Sequence, residues 1–232
     1  MLVEGKTALV TGANRGFGRH LAAELRDRGA NVYAAARNPL AVDLPGVTPV
    51  PLDVTDPSSV AAAAAATGDV AILLNNAGSA TGASLLTGDL ADIRVELETH
   101  FFGTLAVVRA FAPQLARHGE SAILNVLSVL SWLSVPGSGA YCAAKSAEWS
   151  LTNALRQELA PQGTRVSALH VGYMDTDMAR HVDAPKSDPA VIAKLAVDGI
   201  AAGDTEIIAD EISQQVRAGL SGGVAALYPQ VA

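Results

Sequence analysis

The chain contains one cysteine, Cys142, in 232 residues, so no internal disulfide can form. A small secreted scaffold stapled by disulfides is excluded, and a reducing, cytoplasmic setting is the expectation. Positive charge is also scarce. There are 16 Lys and Arg against 23 Asp and Glu, a formal net charge of −7. Such a surface has no general pull on phosphate backbones or anionic membranes, so neither nucleic acid nor a membrane is an expected partner. No uncharged apolar run approaches the roughly 18 residues that a bilayer span needs. Met1 to Lys6 shows no basic stretch leading into an apolar one, so no targeting segment is expected. There is no Gly-x-Ser-x-Gly elbow for hydrolase chemistry. His20, His100, His118, His170 and His181 lack the paired spacing of metal ligands, so no metal is expected.

What remains is apolar. Half of the residues are hydrophobic and 17% are charged, which suits a large core and excludes a disordered chain. Strand-like runs at Thr7–Thr11, Asn31–Ala36, Val47–Leu52, Val70–Asn75, Ala122–Leu127, Arg165–His170 and Glu206–Ala209 alternate with helix-length stretches. The longest helices are expected over Leu90–His118 and Ser138–Leu159. Asp56-Pro57 and Asp188-Pro189 read as helix starts, and Gly29 as a stop. Alternation of this kind predicts an α/β fold: a doubly wound parallel sheet of Rossmann-like type, in three α/β/α layers, forming one domain over residues 1–232.

A glycine loop follows the first strand and opens the first helix: Thr11-Gly12-Ala13-Asn14-Arg15-Gly16-Phe17-Gly18. Glycines allow a tight turn and let backbone approach a pyrophosphate, which then sits at the positive end of a helix. Downstream come Leu52-Asp53-Val54, Asn75-Asn76-Ala77-Gly78, Ser128, Tyr141-x-x-x-Lys145, and Gly172 with Thr176. In this order, over nearly the whole chain, the segments resemble the short-chain dehydrogenase/reductase family in its compact single-domain branch.

The resemblance implies a nicotinamide coenzyme bound by Gly12, Asn14, Arg15, Gly16, Phe17 and Gly18. It further implies Asp53 at the adenine amine, Val54 on the adenine ring, and Asn75, Asn76, Ala77 and Gly78 along the coenzyme. Gly172 belongs to the loop after the sixth strand, and Thr176 is expected to bond the nicotinamide carboxamide. In folds of this sort the end of the second strand lies beside the adenosine ribose, where a carboxylate would repel a 2′-phosphate. Here the stretch is Ala34-Ala35-Ala36-Arg37-Asn38, with no acid. Arg37 and Arg15 offer planar guanidinium forks suited to phosphate, so NADP(H) is expected over NAD(H).

Tyr141 and Lys145 are four apart on an expected helix and share one face. An ammonium beside a phenol stabilises the phenolate, which suits the tyrosine to pass a proton to or from a substrate oxygen. By resemblance Lys145 also bonds the nicotinamide ribose. Ser128 stands 13 residues before Tyr141, the family's spacing for the serine that steadies the substrate oxygen. Two departures occur. The family's Asn-x-x-Gly in the helix after the fourth strand reads His100-Phe101-Phe102-Gly103, which places His100 as a participant in the proton relay. Pro-Gly after the sixth strand reads Val171-Gly172.

Leu130, Trp132, Tyr173 and Met178 are the expected walls of an apolar substrate pocket, suited to a neutral ketone, aldehyde or alcohol. Leu97, Phe101, Thr104 and Val108 form a stripe on an expected dimer face, and the resemblance implies a homodimer or homotetramer. The expected activity is NADP-dependent interconversion of a carbonyl compound and an alcohol by direct hydride transfer. The alternative is an NADPH-binding regulatory or redox-sensing protein with little turnover.

Overall fold

The computed structural model describes residues 1–230. Seven strands form one sheet: β1 (Thr7–Thr11), β2 (Asn31–Ala36), β3 (Thr48–Pro51), β4 (Ile72–Asn75), β5 (Ser121–Val126), β6 (Thr164–His170) and β7 (Glu206–Ile208). Every pairing is parallel and the order is β3-β2-β1-β4-β5-β6-β7. The chain winds outward from β1 in both directions, so a crevice opens at the carboxyl ends of β1 and β4. β3 carries Pro49 and Pro51 and lies at an edge, where a missing ladder donor is tolerated.

Strand residues alternate between two cores, as the pleat requires. Ala8 and Val10, Ile72 and Leu74, and Ala122 and Leu124 face a cluster completed by α1 (Gly16–Asp27) and α6 (Pro189–Ala202). Leu9, Leu73 and Ile123 face the opposite cluster, shared with α2 (Pro57–Thr67), α4 (Thr104–Leu115) and α5 (Gly139–Leu159). Leu9, Leu21, Leu25, Leu73 and Phe111 are fully buried. Each such side chain contributes roughly 1.5–3 kcal/mol by leaving water. Asp56 caps α2 by accepting from the Ser58 amide, with Pro57 as the first helical residue, and Gly68 at φ +56° ends it.

The expected single helix over 90–118 is interrupted. α3 (Leu90–Leu97) runs into a π-helical turn, Glu98–Gly103, before α4 begins. The extra residue in that turn rotates the following side chains relative to an uninterrupted helix, and such turns recur at functional sites. His100 lies on it and is buried. Gly103 lets the turn pack on Val54, since a Cβ there would stand 2.9 Å from Val54 Cγ2. The Leu97 to Val108 stripe turns inward: Thr104 and Val108 are buried, and Phe101 packs on the core. Leu90, Val95 and Phe102 are the exposed large apolar residues of this segment.

Two short helices, α7 (Glu211–Gly219) and α8 (Gly223–Leu227), close the described chain. Val216 and Leu227 join Val129, Trp132 and Trp149 in a third small core. Tyr228 Oη accepts from the Ser134 amide at 2.8 Å, so the closing segment is docked on its own subunit.

Candidate active site

The glycine loop is held from the neighbouring strand. Thr11 ends β1, and its hydroxyl accepts from the Asn76 and Ala77 amides at 2.9 and 3.0 Å. Asn76 Nδ2 donates to the Thr11 and Gly12 carbonyls at 2.9 and 3.3 Å. Thr11 is therefore the hinge pin between the loop and β4. Gly12 (φ +67°) and Gly16 (φ +52°) take the left-handed backbone that the turn demands. A Cβ on Gly18 would stand 2.3 Å from the Gly12 carbonyl oxygen, so the first turn of α1 folds tightly under the loop. No side chain caps α1 at Arg15, which leaves its first amides for an anion. Asn14, Arg15 and Gly16 keep partial or full exposure, while Phe17 and Gly18 are buried.

Around this cradle stand the other expected residues. Arg37 is exposed just past β2. Asp53 Oδ1 accepts from the Thr55 amide and hydroxyl at 3.0 and 2.7 Å, fixing the turn before α2. Gly78 admits His100: a Cβ on it would lie 2.9 Å from His100 Cε1. Gly172 donates its amide to Asp210 at 2.6 Å, tying the loop after β6 to the cap of α7. Thr176 faces Gly16, with its Cβ 3.7 Å from where a Gly16 Cβ would be. One residue on, Asp177 pairs with Arg15 at 3.6 Å across the surface.

Tyr141 and Lys145 lie on the first turns of α5, and the Lys145 Nζ stands 5.8 Å from the centre of the Tyr141 ring. Ser128 ends the loop after β5. Its Oγ accepts from the Leu130 amide at 3.1 Å. Burial raises the phenol above its ordinary range. Lys145 and the nearby Ser128 side chain pull down, Glu148 and Glu96 push up, and the net direction is upward. Burial pulls the Lys145 ammonium down, but Glu148 and Tyr141 more than offset this and hold it above its usual value.

Two carboxylates that motif reading passes over complete the arrangement. Glu148 is buried on α5 and accepts from Lys145 Nζ at 2.7 Å and from the Thr104 hydroxyl at 3.0 Å. Glu96 is wholly buried on α3 and accepts from the Ser79 hydroxyl at 2.6 Å and from the Thr81 amide. His100 lies between them. Its Nε2 is 3.0 Å from the Ser79 carbonyl and 3.4 Å from Glu96 Oε2; its Nδ1 is 3.8 Å from Glu148 Oε2. The ring meets Tyr141 edge to face at 5.3 Å. Spacing offered a signal for both acids: Glu148 follows Lys145 by three and Glu96 precedes His100 by four, each on one helical face.

The expected pocket-wall residues sit in different surroundings. Trp132 is buried and stacks on His170 at 3.7 Å, edge to face with Trp149 and beneath Arg217. It packs in the third core, where α7 and the closing segment cover the loop from the far side. Burial lowers His170 to a pKa of about 4, so this ring is a neutral packing group near pH 7. Leu130 is partly buried, while Tyr173 and Met178 are exposed beside the crevice. Cys142 is buried and turned about 100° around α5 from the phenol.

The parallel sheet with helices on both faces agrees with the comparisons. A family model described as short chain dehydrogenase matches residues 6–187. The chain belongs to the short-chain dehydrogenase family. A short chain dehydrogenase from Burkholderia cenocepacia J2315, solved in complex with NADP, is 36% identical with a TM-score of 0.95, covering 100% of this chain and 99% of that one. A relative from Burkholderia phymatum, solved in complex with NAD, is 26% identical with a TM-score of 0.85, covering 95% of each chain. The oxidoreductase YbbO of Escherichia coli K12 is 34% identical over 198 residues, 80% of this chain and 72% of its own. This short-chain dehydrogenase is thus an oxidoreductase of a family that uses a nicotinamide coenzyme. Among the described residues, no three His, Cys, Asp or Glu side chains gather to hold a metal, and no helix is long and apolar enough to cross a membrane.

Proposed function

We propose that the protein is an NADP-dependent oxidoreductase that interconverts a neutral ketone or aldehyde and an alcohol, with Tyr141 as general acid and base. The observation that carries the reading is one phenol flanked by a buried ammonium 5.8 Å from its ring centre, beside a glycine cradle. The cradle fits a dinucleotide: its two left-handed glycines bring bare backbone and the uncapped start of α1 to one surface. Gly12, Asn14, Arg15, Gly16, Phe17 and Gly18 would hold the pyrophosphate end. Asp53, Val54, Asn76, Ala77 and Gly78 would line the middle, with Lys145, Gly172 and Thr176 at the nicotinamide end. When bound, the coenzyme supplies or takes the hydride at the substrate carbon.

The protein's own groups manage the oxygen. Ser128 accepts from Leu130, which leaves its hydroxyl proton free to hold the substrate oxygen. Tyr141 donates its proton to that oxygen as charge grows there, and takes one back in the reverse direction. Lys145 limits the cost of the phenolate. Leu130, Tyr173 and Met178 form the apolar approach to the crevice, and the loop after β6 joins it. A homodimer or homotetramer would cover Val95 and Phe102, which are exposed on the α3 side.

Coenzyme choice rests on Arg15, Arg37 and the absence of an acid after β2, and is supported by the NADP complex of the Burkholderia cenocepacia relative. The expected result is carbonyl-dependent oxidation of NADPH in preference to NADH across a panel of ketones and aldehydes. Each charge-assisted phosphate bond contributes about 1.5–3 kcal/mol, so replacing both arginines with alanine should lower that preference at least about ten-fold. A wild-type protein that prefers NADH would overturn the coenzyme assignment.

A further inference from the structure

The Lys145 ammonium does not face the phenol alone. Its Nζ donates to Glu148 Oε2 at 2.7 Å and to the Val126 carbonyl at 2.8 Å, and both charged side chains are buried. A cation in contact with an anion presents little net charge to a third group. We propose that Glu148 is a positioning residue that holds Lys145 as half of a buried ion pair, so that Tyr141 rests as a neutral phenol and the site is set to reduce a carbonyl rather than to oxidise an alcohol. The inference rests on the assignment of Tyr141 as the proton donor.

Every charged or titratable group around the phenol bears on this. α5 contributes Lys145 and Glu148, α3 contributes Glu96, the π-helical turn contributes His100, and the β5 end contributes Ser128. Glu148 and Glu96 oppose the phenolate and Lys145 favours it. Glu148 is held firmly: Thr104 donates to its Oε1 and Lys145 to its Oε2, so it cannot swing away from the ammonium. His100 edges both the phenol and Glu148. A protonated phenol is the form that carbonyl reduction consumes. Alcohol oxidation needs the phenolate instead, and the paired Glu148 makes that form costly.

The test does not need turnover. Phenolate absorbance is followed against pH in coenzyme-free protein, as wild type minus Tyr141→Phe, so that Tyr33, Tyr173 and Tyr228 cancel. Wild-type Tyr141 should remain protonated beyond the ordinary midpoint near pH 10. Glu148→Gln keeps the shape and removes the charge. It should lower the midpoint by at least about one pH unit, a ten-fold gain in phenolate at neutral pH. Glu148→Asp should restore the wild-type midpoint. If Glu148→Gln does not fold, the Lys145→Met/Glu148→Gln double variant should titrate below Lys145→Met alone. An unchanged or raised midpoint in Glu148→Gln, or a double variant that matches Lys145→Met, overturns the proposal. In the loaded enzyme, the pH profile of kcat for alcohol oxidation should move down by the same interval in Glu148→Gln. An enzyme in which Tyr141→Phe keeps full activity would overturn the catalytic assignment, while the titration would still decide whether Glu148 opposes the phenolate.

Discussion

Tyr141→Phe should reduce carbonyl-dependent NADPH oxidation by about 10²–10⁴-fold while NADPH binding stays near wild type, because general acid catalysis contributes roughly that factor. The variant deletes one hydroxyl. The ring keeps its edge-to-face contact with His100 and its place over Lys145, so the fold has little reason to change. Glycine-loop contacts to Asn76 and Thr11 lie on other elements and are untouched. The loss should therefore fall in kcat, with coenzyme affinity measured separately by fluorescence titration. Equal turnover in the variant would mean that the proton comes from elsewhere, and the reading of the Ser128, Tyr141 and Lys145 group would fail with it.

The second large effect concerns stability. Burial pushes the Glu96 carboxyl up, but bonds from His100, Ser79 and Thr81 more than offset it and hold the group at a pKa of about 2 against an ordinary 4.5. A carboxyl that is more acidic when folded stabilises the fold above its unfolded pKa. That contribution is lost as pH falls from about 4.5 to about 2, since the unfolded chain takes up the proton first. At roughly 1.4 kcal/mol per pH unit the interval corresponds to about 3 kcal/mol. Glu96→Gln should lose about that amount at pH 7, because one of its two oxygens becomes an NH₂ facing the Ser79 hydroxyl or the Thr81 amide. For a domain of this length the fall in Tm should be about 6–12 °C. The difference between wild type and variant should shrink towards pH 2. A difference that stays constant from pH 7 to pH 2 would show that Glu96 acts by packing alone.

Local signals carried much of this. Gly12, Gly16 and Gly18 read as a tight turn because their spacing states a backbone requirement, and two of them take left-handed φ angles. Tyr141 and Lys145 read as neighbours because four residues is about one helical turn. The doubly wound parallel sheet was legible from alternation; the place of the proline-marked strand at its edge came only with the strand order. The π-helical turn was not legible, since Glu98–Gly103 has no residue that an ordinary helix would refuse. The packing of Trp132 was not legible because its burial depends on where α7 lands, far along the chain. Glu96 and Glu148 look like surface acids on amphipathic helices until the loop carrying Ser79 and the side chain of Lys145 meet them. Their spacing to His100 and Lys145 was present in the sequence, but burial decides their weight, and that belongs to the tertiary contacts.

The central claim is that this cleft moves hydride directly from NADPH to a carbonyl carbon while a tyrosine delivers the proton. NADPH carrying deuterium at nicotinamide C4, on the face the enzyme uses, is supplied with a ketone from the panel, and the alcohol is analysed by mass spectrometry. The account predicts one deuterium on the carbinol carbon and none on oxygen after exchange with water. An alcohol formed without deuterium from either labelled face would contradict it.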